Sequence, residues 1–82
     1  MVETIVYRDR PYFVEAHGTY FKLYNELRLY LGHGDIELKA AIPRWVVLGL
    51  NGEVEITNAP DFRGAAIALL KLIEVSKKVS GK

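Results

Sequence analysis

The run "RWVVLGLNGEVEIT", residues 44 to 57, carries the clearest pattern in the chain. Apolar and alternating positions flank Asn51-Gly52, a pair that tolerates the positive φ angles of a two-residue type I′ turn. With that turn Leu50 opposes Glu53. One sheet face then holds Trp45, Val47, Val54 and Ile56. The other holds Val46, Leu48 and Leu50 beside Glu53, Glu55 and Thr57. A strand apolar on both faces, as 45–50 is, belongs inside a sheet or against a partner.

The start, "ETIVYRDRPYFVEA", has two apolar pieces around Arg8-Asp9-Arg10-Pro11 and reads as a hairpin or as one long bent strand. Pro11 cannot donate to a ladder and fits a turn or an edge.

Residues 19–40 support two readings. As a helix, Thr19 is the N-cap, Gly32 the stop, and Tyr20, Leu23, Tyr24, Leu27, Tyr30 and Leu31 share one face. As a hairpin, Leu27, Leu29 and Leu31 alternate, "GHGD" turns, and Ile36, Leu38 and Ala40 alternate back. The helix has the longer period match and good helix formers, so it is preferred. "DIELKAAI" is then a strand or a connection.

The last helix spans 58–79. It begins near Asn58 or Ala59, with Pro60 in its first turn and Asp61 at the positive end of its dipole, and ends among Lys77, Lys78 and Gly81. Residues 80–82 read as a frayed tail. The resulting expectation is a single α+β domain over 1–82: a two-layer sandwich, mainly antiparallel, with two helices on one face.

Counting faces at 100° per residue raises a question about that last helix. Phe62, Ala66, Leu69, Ile73 and Ser76 form one stripe suited to a sheet, and Ala65, Leu72 and Val79 flank it. Ile67 and Leu70 fall off the stripe, and Lys71 is the lone charge between Ala65 and Ile73. A helix apolar nearly all round is buried on more than one side. The expected cover is a partner chain, with Phe62, Ala65, Ala66, Ile67, Leu69, Leu70 and Ile73 at the interface. Burying Ile67 and Leu70 there would contribute roughly 3–6 kcal/mol before association costs.

Composition narrows the chemistry. Half of the 82 residues are apolar and 26% charged, with 11 basic against 10 acidic side chains. No cysteine is present, which excludes disulfides, thiol nucleophiles and zinc ribbons. The lack of Gln and Cys and a single Met are a thermophile-like composition. No signal peptide or membrane-spanning run is visible, so the expected location is the cytoplasm.

The histidines are His17 and His33. His33 stands two residues from Asp35 in "GHGD", which reads as a polar turn. No metal-ligand spacing, phosphate loop or nucleophile–base pair occurs, and Ser76 and Ser80 sit at the helix end. No catalytic residue, metal or cofactor is therefore assigned, and the chain is not expected to be an enzyme. Arg8, Arg10, Arg28, Arg44, Arg63, Lys71, Lys77 and Lys78, with five tyrosines, would serve RNA or DNA binding if they gathered on one face. Solvated charge is their simpler reading. Likewise Tyr20, Phe21, Tyr24 and Tyr30 read as helical core.

One segment suggests a family. "DFRGAAIALLKLI", residues 61–73, resembles the C-terminal helix of the small dimerising subunit of the KEOPS complex. Phe62-Arg63-Gly64 matches the family's opening and Leu70-Lys71 its Leu-Arg pair, while Ile67 and Ala68 replace its Asn-Ser, as in a divergent paralogue. The resemblance implies a strand–helix–strand–strand–helix order in an archaeal or eukaryotic accessory subunit. It also implies dimerisation, docking on a catalytic subunit, and support of N6-threonylcarbamoyladenosine formation on tRNA. Arg63 and Lys71, followed by Lys77 and Lys78, become the candidate RNA or partner contacts. The expectation is thus a non-catalytic subunit acting in a homodimer, a heterodimer or a larger complex, with tRNA reached through the complex. The alternative is a stand-alone RNA- or DNA-binding module.

Overall fold

The structure is a computed structural model that describes residues 1–38 and 41–80, with side chains through residue 77 in the last helix. Ala40, the side chains of Lys78, Val79 and Ser80, and the rest of the expected tail lie outside what it describes. Six strands precede one helix: β1 (Val2–Tyr7), β2 (Arg10–Ala16), β3 (Tyr20–Tyr24), β4 (Tyr30–Glu37), β5 (Arg44–Gly49), β6 (Val54–Asn58) and α1 (Phe62–Ser80). The strands form one antiparallel sheet whose spatial order equals the chain order.

The expected two-helix sandwich is therefore corrected to a six-stranded meander with one helix among the described residues. The strand–helix–strand–strand–helix order fails with it. The missing helix is segment 19–32, where alternation wins over helical period: Phe21 and Leu23 enter the core, while Tyr20, Lys22 and Tyr24 point away. Asn25 then ends the strand. Its side-chain oxygen accepts the Leu27 and Leu29 N–H groups at 2.8 and 3.0 Å, and Arg28 takes φ +64°. Leu27, placed on the apolar face by the helix reading, is exposed, and so is Leu29. "GHGD" is the middle of β4 and not a turn.

The first hairpin closes through Arg8 and Asp9, both with positive φ (51° and 64°), a two-residue turn made without glycine. Pro11 pairs with Val6 before β3 begins to pair at Phe13, so its missing N–H faces no neighbouring strand.

The β5–β6 hairpin forms, but one residue out of the expected register. Leu48 opposes Val54, and the Gly49 N–H donates to the Glu53 carbonyl at 2.9 Å. The loop is Leu50-Asn51-Gly52, in which only Gly52 has positive φ (85°). Such a three-residue loop ends in a residue in the left-handed region, a position glycine favours. A one-residue slip moves every side chain of a strand to the opposite face. Val54 and Ile56 thus join Val46 and Leu48, and Glu55 and Thr57 join Trp45 and Val47.

The last helix starts at Phe62, later than expected, because Asn58 is still paired with Arg44 and Pro60 lies ahead of the helix. Asp61 is its N-cap. Its side chain accepts the N–H groups of Arg63 and Gly64 at 3.1 and 3.2 Å. α1 touches all six strands. Glu74 accepts from Tyr7 at the end of β1, while Ser76 donates to Glu53 at the entry to β6. Strands at opposite edges reach neighbouring turns of the helix, so the sheet curls around α1. Val14, Phe21, Leu23, Val47 and Leu69 are fully buried between them, with Ile5, Trp45, Ala59, Ala65, Ala66 and Leu70 completing the core.

Candidate interaction surface

The curl answers the question the helix posed. Ala65, Ala66, Leu69 and Leu70 are buried within the chain, and Phe62, Ile67 and Ile73 are half-buried against the same core. Leu70, expected to lie off the sheet-facing stripe, is only 5% exposed. A flat sheet covers one stripe of a helix, whereas this curved one covers several. The apolar breadth of α1 is thus largely satisfied internally.

The candidate contact residues separate in the same way. Arg63 is engaged: it donates to Glu3, with its Nη2 at 2.7 Å, and to Asp61 at 3.0 Å, and it lies over the Phe62 ring at 4.8 Å. Glu3 and then Asp61 hold its guanidinium pKa above the ordinary value. Lys71 and Lys77 are exposed. Lys71 lines a groove of about 340 Å³ between α1 and β6, with Glu55, Thr57, Ile67 and Ala68. Lys77 joins Arg8 and Arg10 in a second cleft, of about 400 Å³, floored by Leu31, Leu70 and Ile73. In that cleft Glu74 pairs with Arg8 at 2.7 Å. Arg28 and Arg44 lie on the other side of the sheet, so the cations do not gather on one face.

That other side is the surface the sequence pattern did not isolate. Along each strand the residues alternating with the core point away from α1, and no described element covers them. Near β1 and β2 lie Val2, Val6, Pro11 and Phe13, with the Arg28 guanidinium over the Phe13 ring at 4.7 Å. On β5 and β6 lie the cross-strand pairs Val46–Ile56 and Leu48–Val54. Val54 and Ile56 are each 57% exposed. Asn-Gly hid this patch by suggesting the shorter loop; a three-residue loop ending at Gly52 would have uncovered it.

A polar band separates the two apolar zones. Glu15 accepts from His17 and, at 3.2 Å, from the Tyr24 hydroxyl, and the His17 ring stacks on Tyr20 at 4.9 Å. The bond from His17 is the main reason the Glu15 carboxyl lies below the ordinary range. Burial, and then Glu15, push the Tyr24 hydroxyl up. His33 lies 3.0 Å from the Tyr30 hydroxyl and 3.6 Å from Asp35. This aligns the His33–Asp35 pair across an exposed strand face, with Lys22 and Leu48 opposite His33. Lys22, Arg28 and Arg44 on this face are matched by Glu15, Asp35 and Glu37, and Arg44 pairs with Glu37 at 2.5 Å.

No helix among the described residues is long and apolar enough to cross a membrane. No protein family, curated protein or solved structure matches this chain.

Proposed function

We propose that this chain is a non-catalytic cytoplasmic interaction subunit, and that a protein partner covers the uncurtained face of its sheet. The observation that carries this reading is the Val46, Leu48, Val54 and Ile56 patch, contiguous across two strands and facing away from the core. Contiguous exposed apolar patches mark association sites. The face's own charges balance, which favours a protein over a polyanion.

The test is a paired change on the inner strand of the patch, Val46→Lys with Leu48→Lys, which leaves the core side of β5 intact. A partner identified by co-purification from the native source should bind wild type and lose the double variant, and binding should protect β5 amides from exchange. Retained binding by a folded double variant overturns the reading.

The nucleic-acid reading keeps one observation in its favour: Tyr20, Tyr24 and Tyr30 share this face with Lys22 and Arg28. It predicts affinity for single-stranded RNA that falls steeply with salt. A role beside a tRNA-modifying enzyme rests on the likeness of residues 61–73 to the KEOPS small subunit. Within that segment Arg63 and Lys71 are both exposed, and since Arg63 is already engaged by Glu3 and Asp61, Lys71 is the cation better placed for such a contact.

A further inference from the structure

β6 is an edge strand, paired on one side only. Its hydrogen-bonding groups can be sorted from the loop bond between Gly49 and Glu53. Hydrogen-bonded pairs alternate along an antiparallel ladder, so Glu55 and Thr57, like Glu53, turn their backbone groups to β5. Val54, Ile56 and Asn58 turn theirs outward. Native edge strands are commonly blunted by proline, lysine or a bulge. The stretch Val-Glu-Ile-Thr-Asn carries no proline, lysine or bulge, and its one charge, Glu55, lies on the helix side of the sheet beside Val47.

We infer that β6 pairs antiparallel with β6 of a second copy, about a two-fold axis at Ile56. The inference deepens the reading of the chain as an interaction subunit by naming one partner. It stands on the edge of the sheet, so it can fail while the face still binds another protein.

Three registers join the outward-turned residues. Centring on Glu55 sets Glu55 directly against its own copy, and like charges facing each other destabilise a ladder. Centring on Thr57 overlaps only the end of the strand and runs into Pro60. Centring on Ile56 pairs all five residues of β6: Ile56 with Ile56, Val54 with Asn58, and Glu55 with Thr57. The charges also agree. Glu55 and Thr57 both line the α1–β6 groove with Lys71, so setting Glu55 against the other copy's Thr57 places each Glu55 between its own Lys71 and the other copy's. An isologous contact of this kind closes at two copies.

The opposite edge is less suited. On β1 the helix-side Glu3 and Tyr7 are already tied to Arg63 and Glu74. Pairing of β1 with β6 would be heterologous and would build rings or filaments in place of a two-fold dimer.

The experiment is solution mass combined with two variants of Ile56. Wild type should run at twice the 9.3 kDa chain mass. Ile56→Pro removes an outward N–H that no strand in the monomer uses, so the variant should stay folded by circular dichroism and run as a monomer. Ile56→Cys places two thiols on Cα positions about 5.5 Å apart, within disulfide reach. The chain has no other cysteine, so mild oxidation should give a covalent dimer, whereas Val54→Cys should not cross-link. A monomeric wild type, a filament, or Ile56→Cys that fails to cross-link overturns the inference. So does a dimer that survives in folded Ile56→Pro. If that variant is unfolded, the cross-linking pattern alone decides.

Discussion

Phe21 lies across the ladder from Gly34, and its ring occupies the space a side chain there would need: a Cβ at 34 would stand 2.4 Å from it. Val47 closes the same space at 3.1 Å from the other neighbouring strand. Gly34→Ala should therefore cost about 1–3 kcal/mol of stability, the usual range for overpacking. Coupled to Phe21→Leu, the loss in urea unfolding should be smaller than the sum of the two single changes.

Leu70→Ala should lower stability by about 2–5 kcal/mol, because a buried leucine leaves a cavity. Leu70→Glu should unfold the chain and so cannot report on association. Val75→Glu, at a position 56% exposed on the same helix, should change the urea midpoint little.

The Asp61 carboxyl lies below the ordinary carboxylate range, chiefly through the Gly64 N–H, with Arg63 adding to it. Its charged form binds those donors, so its contribution is complete above the unfolded-state carboxylate pKa. That contribution is lost as pH falls through the depressed folded value. Asp61→Ala should cost about 1 kcal/mol at neutral pH, as N-cap losses do. Thermal midpoints of wild type and variant should converge as the pH is lowered.

Asp9→Gly should stabilise the first hairpin by about 0.5–1 kcal/mol. Asp9 sits at φ +64°, a conformation that costs an L-residue about 1–2 kcal/mol. Glycine returns part of that gain through the entropy of its unfolded state. The check is the denaturant midpoint, with the Arg8–Glu74 pair left in place.

The sequence is legible where one pattern excludes its rivals. Pro60-Asp61 followed by a broad apolar run announces α1, and the apolar run from Trp45 announces a strand, which ends at Gly49. Segment 19–32 is not legible in that way. Tyr20 to Tyr24 suits a period of two and a period of 3.6 equally, and the deciding contact, Phe21 over Gly34, lies between two strands and not within either one. The candidate surface was hidden by a single register. Asn51-Gly52 serves a two-residue or a three-residue loop, and only the latter turns Val54 and Ile56 outward. The breadth of α1 misled for a third reason: sheet curvature is a property of all six strands together, and no local pattern carries it.

The meander order has a consequence for how the chain reaches this state. Each strand pairs only with its neighbours in sequence, so every pairing closes a short loop at small entropic cost. Zippering can begin at either hairpin that needs no long-range contact, β1–β2 or β5–β6. The strands nevertheless share one core, and Ala65, Ala66, Leu69 and Leu70 supply its far wall. Because α1 completes a core that all six strands share, core-facing helix substitutions such as Leu69→Ala should slow refolding more than strand-end substitutions do, a difference that stopped-flow refolding rates would read.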